Sequence, residues 1–294
     1  MVVSPLIVGL LLAAALMHAS WNALLKADRA DRMATFGVIM GTGTVMGLCA
    51  VPFLPWIEPG AWRFLAISVI VHLAYYTFLL KAYSYGDLSH TYPIARGLGP
   101  LLVALASGRV IGEHLRPQDI VGVLLLSGGL IALAMPLKPV AGPARGRHGL
   151  ATLFAVLTGV TIAAYIIADG MGVRSAGPDF EHRLAYIAWL CVLEGPWLLI
   201  VALASRAGTV LQHLRRNWWR GVVGGVIAST GYGIAIYALV LGPMAHVAAL
   251  RETSVLFGAL MGALLLGEPF GLRRVASAFV IVSGLVLMNG PAFF

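Results

Sequence analysis

The stretch RGLGPLLVAL at residues 96–105 decides the fold, because it recurs as RETSVLFGAL at residues 251–260. Sixteen residues after each arginine comes a Gly-Glu pair, Gly112-Glu113 in the first copy and Gly267-Glu268 in the second. Each pair precedes a further apolar segment, and these two segments also resemble each other. Self-similarity along a chain is the signature of an internal duplication. The sequence therefore predicts two structurally equivalent halves.

The composition places both halves in a membrane. The chain is 60% hydrophobic and 11% charged, whereas a soluble domain has about 25% charged residues. The net charge is +8, but the basic residues are scattered over short gaps between apolar segments. This pattern indicates topology signals and contact with membrane lipids rather than a nucleic-acid surface. Cys49 and Cys191 lie inside apolar runs without ligand spacing, so neither a disulfide nor a metal site is expected.

Apolar stretches of spanning length recur ten times, since a helix needs ~20 residues to cross ~30 Å of hydrocarbon. They are residues 3–25, 34–54, 62–84, 90–111, 117–136, 149–171, 182–204, 220–241, 244–266 and 271–290. Five fall in each copy, and an odd number makes the second copy enter from the opposite side. We therefore predict an all-α integral membrane protein of ten transmembrane helices. Its two inverted five-helix repeats occupy residues 1–140 and 146–294.

Short motifs carry a resemblance to a known family. They are HASWN at 18–22, YPIARG at 92–97 and the two Gly-Glu pairs. On these residues the chain resembles the drug/metabolite transporter superfamily, EamA type. The resemblance implies a ten-helix bundle with a central cavity that opens to each side in turn. It also implies a multi-pass protein of the cell inner membrane that exports, or sometimes takes up, small metabolites.

Two arginines lie inside apolar segments at equivalent positions. Arg96 and Arg251 are about six or seven residues into helices 4 and 9, or ~10 Å below the surface. A charge at a helix centre costs ~2.5–3.5 kcal/mol, so such residues usually face a cavity or a partner. Together the two guanidiniums would bind a phosphonate, carboxylate or phosphate ester. The alternative is that each braces the bundle through carbonyls or an acid. Glu252 is not an expected partner of Arg251, because adjacent helical residues diverge by ~100°.

Helix 1 has a polar stripe. His18, Asn22 and Lys26 are spaced i, i+4, i+8 and share one face, with Trp21 beside them. We expect His18, Asn22 and Trp21 to line the cavity. For Lys26, snorkelling to the membrane surface is an equal alternative.

A second stripe on helix 6 comprises Thr161, Tyr165 and Asp169. This spacing again predicts one cavity-facing side, and Tyr165 is a candidate substrate-binding residue. For Asp169, snorkelling is the equal alternative.

Helices 3 and 8 contribute aromatic candidates. His72 and Tyr76 share a face of helix 3, and Tyr232 lies on helix 8. Such rings can stack on a substrate, although packing and interfacial belts are the commoner uses.

Two groups are candidates for proton coupling. His72 has a reference pKa near physiological pH. Glu194 is a lone carboxylate midway along helix 7, and an unpaired buried carboxylate tends to take up a proton. Gly195-Pro196 follows it and is expected to loosen the helix.

These features favour a secondary active transporter that exports a small anionic or zwitterionic metabolite, such as an amino acid or organophosphonate, by alternating access. Its partners would be the substrate, membrane lipids and protons, in a monomer or homodimer without a cofactor. A flippase for lipids or lipid-linked substrates is the alternative. A membrane-embedded enzyme is less favoured, because no catalytic motif is present.

The orientation in the membrane has two opposed expectations. Thirteen Lys and Arg lie in the loops between helices 1–2, 3–4, 5–6, 7–8 and 9–10 or at the flanking helix ends, against five on the opposite side. The positive-inside rule then places both termini outside the cytoplasm. The family resemblance implies termini inside.

Overall fold

The computed structural model describes residues 3–27, 32–135, 144–216, 218–266 and 271–293. All of its regular elements in these ranges are helical. The α-helices are α1 (Pro5–Ala27), α2 (Arg32–Ala50), α3 (Pro59–Tyr85), α4 (Leu88–Ala106), α5 (Pro117–Ala134), α6 (Ala144–Arg174), α7 (Phe180–Arg216), α8 (Trp218–Leu241), α9 (Met244–Arg251), α10 (Thr253–Leu266) and α11 (Leu272–Phe293). A 3-10 turn at Val51–Phe53 follows α2, and a π-helical turn at Ser107–Ile111 follows α4.

Nine helices of the described residues are long and apolar enough to cross a membrane. The predicted span 244–266 is instead divided into α9 and α10, so the expectation of one continuous helix is wrong there. The break is at Glu252, whose N–H donates to Ala249 O (3.0 Å) and whose carbonyl accepts from Val255 N (2.9 Å). These tighter i to i+3 bonds turn the chain. An apolar run of spanning length does not reveal such a break.

The helix packing follows the duplication. α2 packs on α7 and α5 on α11, so each of these helices meets its own counterpart from the other repeat. α3 packs on α6 as α1 packs on α8, and α4 packs on α6 as α1 packs on α10. If the two repeats are exchanged, the α3–α6 contact becomes the α8–α1 contact, and the α4–α6 contact becomes the α10–α1 contact. The fold is therefore the predicted all-α bundle of two five-helix repeats.

Close approaches between the repeats occur at glycines. A Cβ on Gly122 of α5 would lie 2.7 Å from Gly284 O of α11, and a Cβ on Gly284 would lie 2.5 Å from Gly122 O. In hydrocarbon, small residues allow helix backbones to come this near. The α5–α11 contact thus depends on the absence of side chains at one point.

Helix α7 contains the Gly195-Pro196 pair at a point where it packs closely on α2. Gly195-Pro196 lies within an uninterrupted part of the helix, and the non-helical residue is Arg206 (φ −150°, ψ 40°). A Cβ on Gly195 would meet Met40 O of α2 at 2.6 Å. This glycine therefore serves close helix packing, and the helix continues through Pro196, although that residue donates no backbone hydrogen bond.

The Gly-Glu pair of the first repeat follows α4 as expected. Gly112 has a left-handed φ of 75°, and the Glu113 N–H donates to Ser107 O (2.8 Å). A positive φ favours glycine, which ends many helices in this way. Gly267-Glu268 lies outside the described residues. The predicted boundary between the repeats, residues 141–145, lies mostly outside them as well and stays a prediction.

Candidate functional site

A small cavity lies between α1, α4, α8 and α9. Its volume is about 20 Å³, which is enough for about one water molecule. It is lined by Ala14, Ala15, His18, Arg96, Ala228, Gly231, Tyr232, Ala235 and Arg251. The small residues come from α1 and α8, and they leave room for the longer polar side chains. The two predicted arginines are thus brought to one cavity, together with His18 and Tyr232.

Arg96 is buried, with 6% of its surface exposed, and its charge has a partner. Its Nε lies 2.8 Å from Glu252 Oε2, although the two atoms are not aligned as a hydrogen bond. Its Nη2 donates to Ser254 Oγ (3.0 Å). Glu252 of the second repeat thus compensates the arginine of the first.

Arg251 differs from Arg96 in that its contact is an aromatic ring. Its guanidinium carbon lies 5.3 Å from the centroid of the Tyr232 ring, a cation–π contact. Within the part of the chain that the structure describes, no carboxylate lies within ion-pair distance of Arg251. The cavity is therefore lined by two guanidiniums, of which Arg96 has an acid partner and Arg251 has none among the described residues.

The helix 1 candidates separate into different environments. His18 lines the cavity. Trp21 contacts the His18 ring edge-on (5.3 Å) and stacks on Phe36 of α2 (5.8 Å). Asn22 donates its amide to His18 O (2.8 Å) within its own helix. Neither Trp21 nor Asn22 lines the cavity, and the side chain of Lys26 lies outside the described residues.

A buried polar cluster adjoins the cavity through Tyr232. The Tyr232 hydroxyl donates to Asp169 Oδ2 (2.6 Å) and lies 3.1 Å from His72 Nε2. Tyr186 donates to Asp169 Oδ1 (3.3 Å), and only 1% of the Asp169 surface is exposed. Snorkelling of Asp169 to the membrane surface is therefore wrong.

Glu194 belongs to the same cluster. It is 6% exposed, accepts a hydrogen bond from the Tyr76 hydroxyl, and lies with its Oε1 3.9 Å from His72 Nε2. The interpretation of Glu194 as an unpaired carboxylate is wrong. Tyr165 stacks on the His72 ring at 4.3 Å. The predicted candidates on helices 3, 6, 7 and 8 thus meet around His72.

One end of the bundle is held by ionic contacts. Glu113 accepts from Arg174 Nη2 (2.8 Å) and from the backbone N–H of Met244 (2.9 Å). Arg174 also donates to Gly242 O (2.9 Å) and to Leu239 O (2.8 Å). We call Glu113, Arg174 and the backbone of residues 239–244 the Glu113 brace. It joins the segment after α4 to the end of α6 and the α8–α9 connection.

A second contact set lies nearby. Arg116 Nη2 donates to Asp119 Oδ1 (2.7 Å) and to Met288 O (3.0 Å). The hydrogen bond to Asp119 raises the pKa of the Arg116 guanidinium above its ordinary value, so Arg116 stays charged. It links the start of α5 to α11.

Glu252 was not predicted as the partner of Arg96, and for Asp169 the buried position was only one of two equal alternatives. A signal for Glu252 was present, because the second copy has an acid where the first has Gly97. A buried arginine in one copy and an unmatched acid in the other suggest a pair between the copies. Nothing in the sequence pointed to the tyrosine donors of Asp169. Among the described residues, no three His, Cys, Asp or Glu side chains converge as metal ligands would.

The long apolar helices and their duplication define a multi-pass membrane protein. The EamA-like transporter family matches the chain twice, over residues 5–135 and 149–290. The chain therefore belongs to the EamA-like transporter family, within the drug/metabolite transporter superfamily.

Two individual proteins are similar to it. Uncharacterized protein PA1977 of Pseudomonas aeruginosa is 28% identical over 251 residues, which cover 79% of this chain and 74% of that protein. A crystal structure of another protein superposes with a TM-score of 0.65 over 98% of both chains at 18% identity. The second likeness concerns the fold alone.

Proposed function

We propose that this protein is a secondary active transporter that moves a small anionic or zwitterionic metabolite across the inner membrane by alternating access. The substrate class would include amino acids and organophosphonates. Its anionic group would bind in the cavity at Arg251, with Arg96, His18 and Tyr232 around it. Export is the direction that the family resemblance implies.

The observation that carries this proposal is the uncompensated charge of Arg251. Arg96 has Glu252 at 2.8 Å, whereas Arg251 has only the Tyr232 ring among its described contacts. A charge inside a membrane protein is costly and is usually paired. A bound carboxylate or phosphonate would supply the missing counter-charge. A cationic substrate would instead be repelled by the positive charge of Arg251.

The size of the cavity supports a moving bundle. A volume of about 20 Å³ is far below the ~300 Å³ or more of ordinary ligand pockets. Binding therefore requires helices around Arg251 to separate. The Glu113 brace would be one contact set that breaks when its end of the bundle opens.

A thermal-shift screen of the purified protein tests the proposal. A panel of anionic, zwitterionic and cationic metabolites is applied to the wild type, and the strongest hit is repeated on Arg251→Gln. We expect anionic or zwitterionic hits whose stabilisation is lost in the variant. Arg63→Gln removes an equal charge from an exposed position and is the control. Hits confined to cations, or a hit retained by Arg251→Gln, would overturn the proposal.

A further inference from the structure

Helix α7 is longer than a membrane crossing requires. Its 37 residues would extend ~55 Å at ~1.5 Å per residue, whereas the hydrocarbon is ~30 Å thick. The helical geometry is interrupted at Arg206 (φ −150°, ψ 40°), and the next span, α8, begins at Trp218. Residues 207–216 therefore join two spans and lie at one surface of the membrane.

Residues 207–216 are anchored to the bundle on one side. Val210 is fully buried and packs with Ala34 and Val38 of α2. Leu211, the next residue, is half exposed, and most of the other side chains of the segment are exposed as well. The segment thus has a defined position on the bundle and presents its other faces outward.

One outward face of this segment is polar and basic. An open depression of about 390 Å³ is lined by Gly208, Leu211, Gln212, Arg215 and Arg216. Their spacing of i, i+3, i+4, i+7 and i+8 places them on one side of the helix, and we call these five residues the Arg215 strip. The strip offers two guanidiniums and an amide as hydrogen-bond donors, next to one apolar side chain.

The charges around the Arg215 strip have one sign. Residues 195–250 contain four arginines and no Asp or Glu. Within the described ranges, no carboxylate lies within ion-pair distance of Arg215, Arg216 or Arg220. The strip therefore attracts an anion, and it repels a group that carries a positive charge of its own.

Two tryptophans indicate the depth of the strip in the membrane. Trp218 and Trp219 begin α8, and both are exposed. The guanidinium carbon of Arg220 lies 5.3 Å from the centroid of the Trp219 ring. Exposed tryptophans are enriched at the level of the lipid headgroups. Arg215 and Arg216 lie just before these residues in the chain, so they are near the depth of the lipid phosphates.

We propose that the Arg215 strip is a binding site for the headgroup of an anionic phospholipid. The paired N–H groups of Arg215 and Arg216 hold the phosphate, Gln212 donates to a further headgroup oxygen, and an acyl chain runs along Leu211. Phosphatidylcholine has the same phosphate, but the arginines repel its trimethylammonium group. The site shares no lining residue with the cavity at Arg251, so it does not depend on which metabolite is moved.

Native mass spectrometry of the delipidated full chain in detergent, titrated with phosphatidylglycerol or phosphatidylcholine, tests the proposal. The wild type should bind its first phosphatidylglycerol more tightly than its first phosphatidylcholine. Arg215→Gln with Arg216→Gln should weaken the binding of phosphatidylglycerol about 25-fold, or about fivefold for each basic residue removed. Equal affinities for the two lipids in the wild type, or an unchanged affinity in the variant, would overturn the proposal.

Two further variants separate a site from a general attraction. Arg63→Gln with Arg109→Gln removes the same charge from two other exposed positions and should keep the wild-type affinity. An equal loss in this control would show that net charge alone attracts the lipid. Arg215→Lys with Arg216→Lys keeps the charge but not the paired N–H groups, and it should bind more weakly than the wild type, whereas an unchanged affinity would refute the phosphate contact. Displacement of the lipid by an equal concentration of inorganic phosphate would show a site for free anions instead.

Discussion

Arg96 Nε lies 2.8 Å from Glu252 Oε2, and both side chains are buried. The pair joins α4 of the first repeat to the break between α9 and α10 in the second. Loss of one partner from a buried ion pair leaves an uncompensated charge, which costs about 3–5 kcal/mol. We therefore expect Glu252→Gln to lower the stability by that order, as measured by reversible unfolding in detergent.

The control for this prediction is a double variant. Arg96→Gln with Glu252→Gln removes both charges together, and we expect it to recover most of the stability that Glu252→Gln alone loses. Additive losses in the double-mutant cycle would show that the two residues do not interact.

Arg251→Gln, in contrast to Glu252→Gln, should affect anion binding rather than the stability of the free protein. Its guanidinium has no acid partner among the described residues, so its removal should leave the melting temperature of the free protein nearly unchanged. The dissociation constant of the anionic hit should rise about 10- to 150-fold, since hydrogen bonds to charged groups contribute about 1.5–3 kcal/mol. Isothermal titration calorimetry on both proteins measures this. A strongly destabilised Arg251→Gln protein would point to a structural role instead.

Glu113→Gln should loosen one end of the bundle. Glu113 accepts from Arg174 and from the Met244 N–H, and a neutral amide would weaken both bonds. We expect faster amide hydrogen exchange at residues 239–246, because local opening there becomes easier. Glu58→Gln is the matched control, since Glu58 lies at the same end of the bundle, where its N–H donates to Ala176 O, and its side chain is exposed. Equal exchange in both variants would count against the Glu113 brace.

Two glycines of α5 provide a matched test of the contact between the repeats. A Cβ on Gly122 would meet Gly284 O at 2.7 Å, whereas a Cβ on Gly128 would meet nothing within 4 Å. Gly122→Ala should therefore destabilise by about 1–3 kcal/mol through overpacking. Gly128→Ala should be neutral or stabilise by up to ~1 kcal/mol through its helix propensity. Unfolding of the two variants in detergent decides the matter, and equal stabilities would refute the close approach.

Much of the fold could be predicted from the sequence, because spanning length and duplication are properties of the chain itself. The recurrence of the Arg96 and Arg251 segments indicated two inverted repeats, and the packing of α2 on α7 and α5 on α11 agrees with them. The break at Glu252 could not be predicted from an apolar run. It depends on a turn that lets the carboxylate reach Arg96 in another helix.

The sequence predicted many residues of the candidate site, but few of the hydrogen bonds and ion pairs that join them. Rare intramembrane charges drew attention to Arg96, Arg251 and Glu194. Partners contributed by distant helices are not visible in local spacing. For Asp169, the spacing left a cavity-facing position and snorkelling as equal alternatives, and its partners Tyr232 and Tyr186 place it inside the bundle.

The two arginines have a single acid between them, and this makes the two halves of the chain chemically different. Where the second half has Glu252, the first has Gly97, and a Cβ there would lie 2.9 Å from the Ile131 side chain and 3.1 Å from Ser127 O. Two first halves assembled with each other would carry two arginines and no acid, and two second halves would carry an acid for each. Only an assembly of one first half and one second half has one arginine with an acid partner and one without. The two halves are therefore not interchangeable. A molecule with two different ends would then have one preferred orientation at the proposed anion site.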